Sequence, residues 1–181
     1  MSPTREATTS PHDPLGLDNV DGWRGPTASQ AAGLTLAAAR AVIVAVQAEA
    51  RAIGVAMSCA VVDSGDQLVA FERMDAADLA GIVLARDKAY TALTNRMSTA
   101  DLTPITQPGT EFFGYHTVAG GRTIIFAGGM PLERDGVLVG AVGVSGGDSE
   151  QDQRAVEAGV RAFAVVGPRP LFDPENLRVR A

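Results

Sequence analysis

Apolar residues recur three or four positions apart from Leu36 to Ile53, through Ala39, Val42, Ile43, Val46 and Ala50. Thr35 stands where a capping hydroxyl belongs and Gly54 where a left-handed C′ residue belongs, so the pattern predicts a helix over 36–53. The run VAMSCAVV predicts a strand over 55–62, and the adjacent Val61 and Val62 imply burial on both faces. Asp63 to Asp66 (DSGD) is turn chemistry, and QLVAFER supplies the return strand of a hairpin. MDAADLAGIVLARDKAYTALTNR predicts a second helix, capped by Asp75 or Asp78. Its apolar face runs through Leu79, Ile82, Val83, Arg86, Ala89, Tyr90 and Leu93, with Asp87 and Lys88 elsewhere on the wheel.

Beyond an irregular stretch holding Pro104 and Pro108, three short strands are expected: FFGYHTV, TIIFAGG and VLVGAVGV. Ala119-Gly120-Gly121 joins the first two, and Arg134-Asp135-Gly136 the last two. Asp148 and Gln151 form a capping box that starts a third helix near 149. The order α-β-β-α-β-β-β-α with tight turns predicts an α+β fold: a five-stranded antiparallel sheet with helices segregated over a face. This body spans 34–166. A leader, 1–33, is broken by proline and glycine and carries Trp23; an extended tail, 167–181, carries three prolines.

Composition narrows the function. The chain has 181 residues, 46% hydrophobic but only 5% aromatic, so its core must be built from Ala, Val, Leu and Ile. A net charge of −6 and pI near 4.8 lack the basic footprint that nucleic acid needs. No apolar run is long enough for a spanning helix, and the first residues lack the apolar core of a secretory signal. The single cysteine, Cys59, excludes an internal disulfide. A cytoplasmic location without membrane or nucleic-acid partners is expected.

VVDSGDQLVAFERMDAA, ARDKAYTA, AGGMPLERDGVLVGAVGVSGG and an Ala-rich final helix with QDQ follow one another in the chain. Together they resemble the haem-binding GlcG/HbpS-like family and the C-terminal domain of PduO-type cobalamin adenosyltransferases, over residues 34–164. The resemblance implies a five-stranded antiparallel sheet, homo-oligomers from tetramer to octamer, and haem or a related small ligand in some members. It also implies a lysine at the Lys88 position.

Function has to be argued from the site. The chain has two histidines, and His12 lies in the leader, so His116 is the one imidazole of the body. In an extended GTEFFGYHTVAGG segment, Phe112, Gly114, His116 and Val118 face one way, and Phe113 and Tyr115 the other. That arrangement suits a flat ligand, an acid–base histidine oriented by Glu111 or Tyr115, or an ordinary edge strand. One cysteine and one body histidine cannot by themselves make a zinc set, so no metal site is expected beyond His116 as a haem ligand.

Two functions remain open. In the first, a binding protein holds haem or another planar ligand among Phe112, Phe113, Tyr115 and His116. Arg73, Lys88 or Arg122 neutralises its carboxylates, and Gly128 and Gly129 let backbone approach it. In the second, a cofactor-independent isomerase, lyase or hydratase acts on a small carboxylate or enolisable substrate. There His116 or Lys88 moves the proton, assisted by Glu111. Asp63 is read as a turn residue, and GVSGGDSEQ as a structural glycine turn rather than a phosphate loop.

Overall fold

The structure is a computed structural model and describes residues 33–167. The leader with Trp23 and the proline-bearing tail lie outside the described residues. Helix α1 covers Leu36–Ala52, with the Thr35 hydroxyl accepting the Ala38 amide at 3.1 Å. Strands β1 (Ser58–Asp63) and β2 (Leu68–Arg73) form the expected hairpin. Its turn is closed by the Asp63 carboxylate, which accepts the Gly65 and Gln67 amides at 2.9 Å. Helix α2 covers Ala80–Asn95, followed by the short α3 (Thr99–Ile105). Strands β3 (Gly129–Arg134) and β4 (Val137–Ser145) form a second hairpin, with Asp135 and Gly136 at positive φ in its turn. Helix α4 (Ser149–Val165) starts at the capping box of Asp148 and Gln151.

The sheet has four antiparallel strands in the order β2-β1-β4-β3, not five. FFGYHTV is no strand: residues 111–114 are turns and Tyr115–Gly121 is a kinked 3₁₀ segment. Gly109, Gly114, Gly120 and Gly121 all have positive φ there, and so does Ala119, which breaks any extended run. TIIFAGG contributes only its last glycine to β3, the edge strand that carries Pro131.

The helices cover both sheet faces rather than one. Cys59, Val61, Val142 and Val144 pack with α1 and α4 in the main core. Val62 and Ala141 pack with Ala89, Ala92 and Leu93 of α2 on the opposite face. Small residues set that second contact. A Cβ on Gly143 would collide with the Ala85 carbonyl, and one on Gly129 with the Lys88 carbonyl, so α2 lies directly against backbone. The buried residues of α2 are Gly81, Ala85, Lys88, Ala89, Thr91, Ala92 and Leu93, so of the predicted face Ala89 and Leu93 are buried while Leu79, Ile82 and Val83 are not. Leu79, at 72% exposure, and Val83, at 62%, point outward. Neither Asp75 nor Asp78 caps α2, whose N-cap position is Leu79 and which has no side-chain cap.

Candidate functional site

Lys88 is one of the largest fully buried side chains. Its Nζ donates to Asp152 Oδ2 at 2.5 Å and to the Val144 carbonyl at 2.9 Å, and lies 4.9 Å from the Phe126 ring centroid. Asp152, on the first turns of α4, also accepts the Gly147 amide through Oδ1 at 2.9 Å. Burial pushes the Lys88 amine below its ordinary value and the Asp152 carboxyl above its own. Their mutual attraction opposes both shifts without cancelling them. Lys88 is thus not poised in solvent for an anionic ligand.

Gly128 and Gly129 make room for this pair and for α2. Gly128 has φ of 111°, and a Cβ there would stand 2.9 Å from Lys88 Nζ and 2.6 Å from the Val144 carbonyl oxygen. Gly129 donates its amide to the Thr99 hydroxyl at 2.9 Å. These glycines admit the protein's own backbone and lysine, in place of the ligand expected there.

Beside the pair is a cavity of about 410 Å³, within the range of small-molecule sites. Ala80, Gly81 and Leu84 of α2 form one wall, Phe126 another, and Ser145 to Ser149 with Asp152 the third. The first residues of both α2 and α4 line it, so two helix N-termini face the same space. Asp78 stands at its rim. Ser58 Oγ, buried without a hydrogen-bond partner, lies under the wall: a Cβ on Gly81 would be 3.2 Å from it.

The remaining predicted residues lie elsewhere. His116 and Glu111 are exposed and share no hydrogen bond; the Tyr115 hydroxyl donates to Asn95 at 2.7 Å instead of orienting the imidazole. Phe112 meets Tyr115 edge to face, with ring centroids 6.1 Å apart. Phe112 and Phe113 keep 46% and 62% of their surface exposed, and Val118 is exposed beside them. The segment is an outward aromatic face rather than a pocket wall. Arg122 anchors it: its guanidinium binds Asp66 and Asp87, each at 3.1 Å, and stacks 3.8 Å from the Tyr90 ring. Arg73 donates to the Ala77 carbonyl at 3.3 Å and lines a separate hollow of about 350 Å³ with Gln47 and Arg51. Among the described residues, no group of three His, Cys, Asp or Glu could hold a metal ion.

Phe112, Phe113, Tyr115 and His116 thus lie in one segment, whereas Arg73 and Lys88 lie away from it. Sequence reasoning missed Asp152 and Phe126. Asp152 had a legible signal: it sits three and four residues before Ala155 and Val156, on the apolar face of α4.

Residues 34–161 match the model of a family described as haem degrading protein HbpS-like. A 15.0 kDa protein from the dhaT-dhaS intergenic region of Citrobacter freundii is 39% identical over 135 residues, covering 75% of this chain and 95% of that one. The GlcG protein of Escherichia coli K12 is 35% identical, over 59% of this chain and 77% of its own. Among solved structures, Klebsiella pneumoniae ORFY superimposes with a TM-score of 0.72 at 36% identity, over 74% of this chain and 92% of that one. A PduOC–haem complex does so with a TM-score of 0.71 at 31% identity, over 75% and 98%. With a family match spanning most of the chain and an α+β fold shared with these structures, the chain belongs to the HbpS-like family.

Proposed function

We propose that the protein binds haem or another planar, carboxylate-bearing small molecule, in a homo-oligomer whose copies complete the site. The observation that carries this reading is the outward aromatic face. Phe112, Phe113 and Val118 are exposed in the same short segment as His116, whose imidazole is exposed and makes no side-chain hydrogen bond among the described residues. Haem needs an apolar surface and an axial ligand, and this segment carries residues for both. The relative solved with haem supports the ligand class. Bound here, haem would supply the iron chemistry. The chain's part is to hold the ring against Phe112 and Phe113 and to present the imidazole.

The carboxylates fall to cations other than Lys88. Arg122 keeps 36% of its side chain exposed although it holds two aspartates. Arg96 is exposed and adjoins Asn95, the residue that fixes Tyr115. One face alone leaves the other side of a porphyrin in water, which is why a second copy is needed.

Haemin titrated into the full chain is expected to give a saturable, shifted Soret band. His116→Ala should alter its position, and Phe113→Ala should weaken binding by about tenfold, the effect of about 1.4 kcal/mol of lost apolar contact. A spectrum identical to free haemin removes the haem reading. An unchanged band in His116→Ala removes His116 as the ligand.

A further inference from the structure

The aromatic face makes no use of the cavity between α2 and α4, nor of the buried ion pair on its wall. Asp152 is the one group there that is both ionisable and inside: it is 3% exposed and still lines the cavity. Its companions are otherwise placed. Asp148 spends its Oδ1 on the Gln151 amide as the cap of α4, and Asp78 is exposed at the rim. Lys88 does not reach the cavity, but it fixes the Asp152 carboxylate from behind while Gly147 fixes it from the side.

We propose that this cavity is a proton-transfer site for a small uncharged carbonyl compound, with Asp152 as the catalytic base and Lys88 as the residue that positions it. A carboxylate has about four acceptor directions, so the bonds to Lys88 and to the Gly147 and Gly146 amides leave one for a substrate proton. Burial brings Asp152 closer to neutrality than a surface aspartate, which suits a group that must accept a proton and return it.

In the step itself, a C–H bond beside the carbonyl breaks and its proton moves to an oxygen of Asp152. The electron pair becomes the C=C bond of an enolate, with the charge on the former carbonyl oxygen. The N-terminus of α2, which has no side-chain cap, and Ser149 border the same space, and the helix dipole favours that charge. Asp152 then returns a proton to the carbon. Atoms and electrons balance without an oxidant, a reductant or a second substrate.

The substrate is uncharged because Asp78 and Asp148 border the opening and repel a carboxylate. Phe126, 40% exposed at the cavity, offers an apolar wall for its carbon skeleton. This inference is independent of haem binding, since the two sites share none of the residues named for them.

The test is hydrogen–deuterium exchange at the α-carbons of hydroxyacetone, butanone and cyclohexanone in D₂O, followed by proton NMR with the full chain. The protein is expected to accelerate exchange of at least one by about a hundredfold over buffer, the scale of a positioned base. Pyruvate, which carries a carboxylate, should exchange at the buffer rate. Asp152→Asn should abolish the acceleration, and Lys88→Met should displace the pH–rate profile, which a purely structural lysine would not do.

Because both substitutions fall in the interior, Ala80→Trp serves as the surface control. Ala80 is the exposed first residue of α2 and lines the cavity. The tryptophan should cut exchange by about tenfold or more with Tm unchanged, as expected of a blocked site. Buffer-rate exchange of all three ketones, or full activity in Ala80→Trp, overturns the proposal. The haemin titration reads the aromatic face separately.

Discussion

An ammonium packed between a sheet and two helices is costly unless it is held, and Lys88 is held by Asp152 and the Val144 carbonyl. Removing one partner leaves the other charge buried, so Lys88→Met or Asp152→Asn should each lower the unfolding free energy by about 3–5 kcal/mol. The double variant Lys88→Met/Asp152→Leu should be far less damaged, from neutral to about 1–4 kcal/mol more stable than wild type, as urea unfolding will measure. The pH dependence has a definite sign. The Asp152 carboxyl is raised in the fold, so the folded chain binds more protons just above the unfolded value of about 3.9, and stability falls as pH climbs through that window. The Lys88 amine is lowered, so the unfolded chain binds more protons below about 10.4, and stability recovers towards that end. Wild type minus double variant should therefore trace a trough between the two windows.

At the scale of the elements, the contact of α2 with β4 and β3 rests on missing side chains. Gly143→Ala would drive a methyl into the Ala85 carbonyl and should cost about 1–3 kcal/mol or more, read as a lower Tm and urea midpoint. The same contact explains what was legible. Helix α1 and the first hairpin follow their hydrophobic period and their turn and cap residues, and α4 follows its capping box, because local signals decide them. The face of α2 was misread because hydrophobicity favours Leu79, Ile82 and Val83, whereas close approach to backbone favours Gly81, Ala85 and Ala89. Between residues 111 and 121, alternating Phe112, Gly114, His116 and Val118 mimic a strand, but positive φ at Gly114, Ala119 and Gly120 forbids one. The aromatic segment was visible in the sequence as the run Phe112-Phe113-Gly114-Tyr115-His116. The Lys88–Asp152 pair joins residues 64 positions apart and could be found only in three dimensions.

For the whole molecule, six exposed large apolar residues among the described ones fall in two short segments: the start of α2, with Leu79, Ile82 and Val83, and residues 112–118, with Phe112, Phe113 and Val118. Such surfaces are costly in a monomer and are expected to meet other copies. Val83→Asp should shift the full chain to a smaller species in sedimentation velocity while leaving its circular dichroism intact.

The manner of the proposed association is constrained by β3. It is an edge strand, open to the addition of another, yet Pro131 lies inside it and contributes no amide hydrogen. Hydrogen-bonded continuation of the sheet from one copy to the next is thereby discouraged on this side. One route by which a β-rich edge would template fibres is thus closed, and the exposed apolar residues are left as the surfaces of the proposed assembly.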